Sequence, residues 1–237
     1  MVKGGSSKSG EVWAVIVAGG ASRRMGRNKL TLPLVGRPVL SWSIGAFNDC
    51  PEVDGIVLVC SSGARDELEE IARVAAPQKL EAVVEGGAHR HLSVLEGMQA
   101  VPASASIIAV HDAARPLVTL AMIDRCLAEA VRSGAAACAR RVTDTLKRTN
   151  DEGFIIDSVD RQGLWAMETP QIFRGELLRQ AYREVVESQS YVTDETSAVQ
   201  AVGAPIALVE TAEWNGKITF PADLELAEEI LRGRGQS

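Results

Sequence analysis

The sequence predicts an α/β protein built on a mostly parallel sheet with helices on both faces, and three observations carry that prediction. Apolar runs of strand length alternate with stretches that are apolar at helical spacing along most of the 237 residues. The run Val12-Trp13-Ala14-Val15-Ile16-Val17-Ala18 is unbroken, so both faces of that strand need cover, as in a parallel sheet. It empties into Gly19-Gly20-Ala21-Ser22-Arg23-Arg24-Met25-Gly26-Arg27-Asn28-Lys29, a basic loop at a carboxyl end, where open parallel sheets bind ligands.

The paired glycines let backbone N–H groups come close to a ligand, and three arginines and a lysine on the same loop predict an anion, most economically a polyphosphate. The pattern is neither of the two familiar phosphate loops. Gly19-Gly20-Ala21 breaks Gly-x-Gly-x-x-Gly, and Lys29 does not directly follow Gly26 as a Walker lysine must. A solvated basic turn is the competing reading of these residues.

Length suits one α/β domain, taken as residues 11–237, after a Gly-, Ser- and Lys-rich lead over 1–10 that is expected to be disordered. A formal charge of −6 and a pI near 5.2 argue against a nucleic-acid partner, which needs excess Lys and Arg over an extended surface. Cys50, Cys60, Cys126 and Cys138 include no Cys-x-x-Cys pair, so the expectation is reduced, buried thiols and a cytoplasmic protein. His89, His91 and His111 are too few for a protein-held metal without acidic partners at suitable spacing. Lys3 and Lys8 before an apolar run imitate a signal peptide, but that run is very short and arginines follow directly. No run is long enough to span a membrane.

After the loop, Leu32-Pro33-Leu34 and Gly36-Arg37-Pro38 predict a turn, and helical spacing predicts a first helix over 39–47. A second strand over 55–60 precedes a charged helix from about 64 to 74, with Leu68, Ile71 and Val74 assigned to one face. A third strand over 80–84 ends at Glu85-Gly86-Gly87, ahead of a helix running through Met98. That junction reads either as a second ligand-facing loop or as a plain helix start with Ser93 bonding backbone. The fourth strand, 106–110, delivers His111-Asp112-Ala113-Ala114-Arg115-Pro116. Asp112 can hold a hydroxyl or metal and Arg115 an anion, or the two can form a local salt bridge.

A helix over 120–131 and a strand over 135–139 follow, and then the rhythm changes. Two strand-like stretches flank Asn150-Asp151-Glu152-Gly153, which predicts a protruding β-hairpin arm at about 140–165. An arm carrying Phe154, Ile155 and Ile156 is more easily stable against a second subunit, so a homodimer is expected. Thr169-Pro170-Gln171 is assigned to the chain's return to the body, followed by a helix over 175–186, a helix start at Asp194 and a strand over 206–209. Lys217 stands alone on a short segment before a last helix over 221–231, with acids early and Arg late.

Taken together, Ala18-Gly19-Gly20 with Arg24-Met25-Gly26 and Lys29, Gly86-Gly87 with Arg90 and Ser93-Val94, and His111 to Pro116 resemble the sugar-phosphate nucleotidyltransferases. Asp144-Thr145-Leu146-Lys147-Arg148, Asp160-Arg161 with Leu164-Trp165, Thr169-Pro170-Gln171, Thr193-Asp194-Glu195 and Lys217-Ile218-Thr219 narrow the resemblance. They are similar to the 2-C-methyl-D-erythritol 4-phosphate cytidylyltransferase family of non-mevalonate isoprenoid biosynthesis.

The resemblance implies a Rossmann-like domain, a homodimer completed by exchanged arms, CTP and a sugar-alcohol phosphate as substrates, and Mg2+ carried mainly by nucleotide phosphates. It implies nucleotide-binding roles for Ala18, Gly19, Gly20, Gly87, Ala88 and Ser93, and acceptor-binding roles for Asp112, Arg115, Thr145, Thr169 and Thr193. Arg24, Lys29, Arg161 and Lys217 are the implied catalytic cations. Two positions depart from the pattern: the loop before Lys29 is shorter than in many members, and Ala88 stands where an acid is frequent. A ribitol 5-phosphate cytidylyltransferase and a non-catalytic nucleotide-binding homologue are the rival readings.

Overall fold

The computed structural model describes residues 10–19 and 28–235. Strand β1 (Glu11–Ala18) is followed by a small hairpin of β2 (Pro33–Leu34) and β3 (Arg37–Pro38), then α1 (Val39–Asp49) and β4 (Gly55–Cys60). Next come α2 (Arg65–Ala75), β5 (Leu80–Glu85), α3 (Arg90–Gln99), β6 (Ala105–Asp112), α4 (Leu120–Ser133) and β7 (Ala135–Arg141). The chain closes with β8 (Leu146–Thr149), β9 (Ile155–Val159), β10 (Trp165–Arg174), α5 (Gly175–Glu187), α6 (Glu195–Ala201), β11 (Ala207–Glu210) and α7 (Pro221–Arg234).

Among the described residues the main sheet runs β11-β7-β10-β6-β1-β4-β5. The continuous apolar run of β1 places it inside that sheet, paired in parallel with β4 on one edge and β6 on the other. Pleating sends Ala14 and Ile16 into a core with α1, α2, α4 and α7, while Val15 points into a second core with α3, α5 and α6. The α/β class with helices on both faces is thereby met. Each fully buried side chain of Ile16, Ile56 or Leu58 is worth about 1.5–3 kcal/mol relative to exposure.

Chain order and spatial order diverge at one place that matters. From β1 the chain winds outward through β4 to β5, then α3 returns it across the opposite face to β6 on the other side of β1. A crevice opens where connections from adjacent strands leave in opposite directions. The register levels Val17 with Asp112 and Ala18 with Cys60, so the carboxyl ends of β1 and β6 meet at that crevice.

Three expectations are corrected. Thr169-Pro170-Gln171 is no link back to the body but part of β10, a strand inside the sheet and antiparallel to both β6 and β7. Proline reads against a central strand because it cannot donate to the ladder. Here the register with β7 breaks between Met167 and Gln171, and the cis Thr169–Pro170 bond lies in that break.

The arm is shorter than 140–165, because Arg140 and Arg141 belong to β7 and Trp165 to β10. Within that stretch only β8 and β9 pair apart from the main sheet, closed by a turn in which Asn150 Oδ1 accepts from the Phe154 N–H at 2.9 Å. Val74 does not share the buried face of α2. It is 80% exposed, whereas Leu68 and Ala72 are fully buried. Six residues at 100° each carry Val74 about 120° from Leu68, while a four-residue step returns almost to the same line.

Candidate active site

Two clefts open at the carboxyl edge of the sheet and share one wall. The smaller, about 350 Å³, is lined by Val17, Ala18, Gly19, Lys29, Leu30, Gly87, Ala88, His89, Ser93 and Ala114 together with Arg90, Asp112 and Lys217. The larger, about 620 Å³, is bordered by those same three shared residues and by Arg115, Glu168, Thr169, Gln171, Thr193 and Asp194, with Gly163, Leu164 and Trp165 at the base of the arm.

The two glycines that follow β5 are required by space. A Cβ on Gly86 would lie 2.6 Å from Ser93 Oγ, and one on Gly87 would lie 2.5 Å from the Leu92 Cβ. Neither glycine has a positive φ. Ser93 itself sits in the first turn of α3, where its hydroxyl donates to the carbonyls of His89 at 3.1 Å and Gly87 at 3.3 Å. The backbone-bonding reading of Ser93 and the cleft-lining one therefore hold together.

Asp112 is the centre of the shared wall. Its Oδ2 accepts from Lys217 Nζ at 2.9 Å, its Oδ1 accepts from Arg90 Nε at 3.1 Å, and Arg115 Nε stands 3.6 Å from Oδ2. Burial works against the carboxylate, but Arg90, Lys217 and Arg115 outweigh it and hold its pKa far below the usual range. Arg90 is in turn held protonated: burial opposes its charge, and Glu195 and Asp112 more than offset that.

Lys217 comes from a segment without regular structure, yet that segment is firmly attached. Arg115 Nη1 donates to the Asn215 carbonyl at 2.8 Å, Asn215 Nδ2 to the Thr169 carbonyl at 2.8 Å, and the Ile218 N–H to the Ala114 carbonyl at 2.8 Å. Ile218 is fully buried, and Lys29 Nζ donates to its carbonyl at 2.7 Å. A side chain projecting from so many fixed neighbours needs little reorganisation to meet charge on a ligand.

Behind this wall lies a neutral relay. The Thr169 hydroxyl accepts from the Asp112 N–H at 3.0 Å and lies 3.0 Å from His111 Nδ1, while His111 Nε2 lies 3.2 Å from the Arg115 carbonyl. An Nε2–H tautomer satisfies every partner, with Thr169 donating to Nδ1. Burial pushes the His111 pKa down to about 3, so the ring is uncharged at neutral pH.

The chain matches the family model for 2-C-methyl-D-erythritol 4-phosphate cytidylyltransferase over residues 12–233. The chain belongs to the 2-C-methyl-D-erythritol 4-phosphate cytidylyltransferase family. It is therefore a nucleotidyltransferase. Its relatives include the enzyme of that name from Desulforamulus reducens, 41% identical over 228 residues that cover 95% of this chain and 97% of the relative. The Prochlorococcus marinus enzyme is 42% identical over 220 residues, covering 92% and 96% of the two chains. The crystal structure of the Thermus thermophilus enzyme superposes with a TM-score of 0.77 at 35% identity, covering 94% of this chain and 99% of that one.

In this cytidylyltransferase-family chain, the two sets of predicted residues fall into separate clefts. Ala18, Gly19, Lys29, Gly87, Ala88 and Ser93 line the smaller, while Arg115, Thr169 and Thr193 line the larger, and Asp112 and Lys217 belong to both. Gly20 and Arg24 lie outside the described residues. Thr145 and Arg161 are exposed and line neither cleft, with Arg161 Nη1 donating to the Thr143 carbonyl.

The Asp112–Arg115 salt bridge held open by the sequence is present, and Arg115 spends its Nη groups on the carbonyls of Asn215 and Met167. Sequence reasoning assigned no role to Arg90, Glu168 or Glu195. Glu168 lies in the β10 register break with its carboxyl pushed up by burial. Arg90 was visible only as part of a motif, and its partner Glu195 is 105 residues away. Among the described residues, no three His, Cys, Asp or Glu side chains gather where a metal could sit.

Proposed function

We propose that this protein transfers the cytidylyl group of CTP to the phosphate of 2-C-methyl-D-erythritol 4-phosphate, giving 4-diphosphocytidyl-2-C-methyl-D-erythritol and pyrophosphate. The observation that carries the reading is the pair of clefts meeting at Arg90, Asp112 and Lys217. A glycine-walled cleft takes the nucleotide, the wider cleft takes the acceptor, and Lys217 stands where the two phosphates must approach each other.

An acceptor phosphate oxygen attacks the α-phosphorus of CTP as the bond to the bridging oxygen of pyrophosphate breaks. The nucleophile is already ionised near neutral pH, so alignment and charge stabilisation do the catalytic work and no general base is required. Asp112 suits that scheme: three cations keep it a carboxylate, fit to accept hydrogen bonds from acceptor hydroxyls and unsuited to take a proton. Lys217 draws the attacking phosphate toward the α-phosphorus, and Lys29, with Arg24, offsets charge growing on the leaving pyrophosphate. Arg115 and Thr169 fix the frame behind Asp112, and Thr193 borders the acceptor.

Asp112, the carboxylate common to both clefts, would face a magnesium ion brought in with CTP, which would supply charge neutralisation at the triphosphate. Phe154, Ile155 and Ile156 are 67%, 66% and 59% exposed on a two-stranded hairpin, which is marginal on its own. We read that apolar tip as the dimer contact, with Thr145 and Arg161 presented to the partner's acceptor cleft. Four free, buried cysteines suit a reducing, cytoplasmic setting, and no helix among the described residues is long and apolar enough to cross a membrane.

The test is pyrophosphate release from magnesium-CTP with 2-C-methyl-D-erythritol 4-phosphate, compared with ribitol 5-phosphate, in wild type and Lys217→Met. Turnover with the methylerythritol substrate, falling about 10²- to 10³-fold in the variant, is expected. Preference for ribitol phosphate overturns the acceptor assignment. Absence of turnover with both substrates overturns the catalytic reading.

A further inference from the structure

Glu195 is a charge that the mechanism above does not use. It opens α6, has no exposed surface and lines neither cleft. An acid in the first turn of a helix ordinarily serves the helix dipole, but the cap of α6 is already made by Asp194, which accepts from the Ser197 N–H at 3.0 Å. A buried carboxylate is costly unless it is paired and hydrogen-bonded.

Both of its oxygens are engaged. Oε1 accepts from Arg90 Nη1 at 2.7 Å and from the buried Tyr182 hydroxyl at 3.1 Å, and Oε2 accepts from Arg90 Nη2 at 3.0 Å. Two-point pairing of this kind fixes the plane of a guanidinium as well as its position. With both Nη groups held, Arg90 reaches Asp112 through Nε alone, on Oδ1, and Lys217 has Oδ2. Without Glu195 the guanidinium fork would be free to turn and leave the position that Glu195 fixes for it.

We propose that Glu195 is a positioning residue for nucleotidyl transfer: it restricts Arg90 to a single contact with Asp112 and holds the guanidinium at the wall shared by nucleotide and acceptor. This deepens the function proposed above and rests on it. Arg90 starts α3 on the nucleotide side, so its displacement weakens substrate and transition state alike and shows in KM.

The experiment is a double-mutant cycle on the full-length protein with Glu195→Gln, Arg90→Met and the pair, reading kcat, KM for CTP, calorimetric CTP binding and thermal unfolding. Glu195→Gln should raise KM for CTP about tenfold or more, by analogy with the loss of a partner that orients a metal ligand, with kcat changing far less. Added to Arg90→Met, it should leave KM where Arg90→Met alone puts it, while raising the melting temperature by removing an unpaired buried charge.

A fall in kcat at unchanged KM marks a smaller folded fraction and overturns the proposal, as do losses in KM that add across the cycle. If Glu195→Gln does not fold, Glu195→Asp keeps the charge one methylene shorter. It should raise KM for CTP, and an unchanged KM overturns the proposal. Wild type without turnover overturns the function above, and the same cycle is then read in CTP dissociation constants, where additive losses still overturn the role of Glu195.

Discussion

Asp112→Asn removes the one charge that three cations share while preserving side-chain shape. Glu195 continues to balance Arg90 at 2.7 Å, so the imbalance falls on Arg115 and Lys217. Lys217, with 40% of its side chain exposed, can turn to water; Arg115, at 12%, cannot. The loss is therefore closer to one stranded buried charge than to three. Breaking a buried ion pair costs about 3–5 kcal/mol, and the lower end applies because both Arg115 Nη groups keep carbonyl partners.

At about 2–4 °C per kcal/mol for a chain of this size, about 3 kcal/mol lowers the melting temperature by about 6–12 °C. Differential scanning calorimetry at neutral pH reads that shift. Inorganic pyrophosphate supplies the second half of the test, because an added anion enters a site with one negative charge fewer. Its stabilisation of the variant should exceed that of wild type. A melting temperature within about 2 °C of wild type, with equal pyrophosphate shifts, would refute Asp112 as the counter-charge of the site.

Further outcomes follow from other parts of the fold. Gly97→Ala should lower stability by about 1–3 kcal/mol, read as a lower urea midpoint, because its Cβ would lie 2.5 Å from Cγ1 of the fully buried Val15 and 2.7 Å from Cγ2 of the fully buried Val59; a rise, as helix propensity alone predicts, would contradict this packing. His111 is depressed from 6.5 to about 3, so between those values the unfolded chain binds the extra proton and stability falls as pH falls.

That one group contributes a slope of about 1.4 kcal/mol per pH unit, which His111→Asn should remove from urea-unfolding energies measured between about pH 4.5 and 6. The depressed Asp112 acts in the same direction, but only as pH falls below its ordinary value of 3.8, outside that window. Replacing Phe154, Ile155 and Ile156 together by Ser should convert a dimer to monomer in sedimentation velocity without lowering the melting temperature of the body; an unchanged dimer would place the contact elsewhere.

The sequence by itself determined the strands and helices whose pattern is local. The unbroken run at Val12 to Ala18 reads as a strand covered on both faces, and apolar spacing placed helices over 39–47 and 120–131, which extend in the structure to 39–49 and 120–133. Gly86 and Gly87 were legible as a ligand-facing loop or a helix start, whereas the crowding that requires them shows only in the packing.

Tertiary structure decided what depends on distance along the chain. β10 was hidden because a proline contradicts a central strand until the register break around it is seen. Helical periodicity gave α2 a face, but only packing showed that Leu68 and Ala72 own it and Val74 does not. Asp112 and Arg115 were visible as neighbours, whereas Lys217 and Glu195 each meet the site from 105 residues away, one at Asp112 and the other at Arg90. Charges carry no local pattern that names their partners; the ion pairs exist only because the sheet brings the carboxyl end of β6, the start of α3 and the 215–218 segment to one wall.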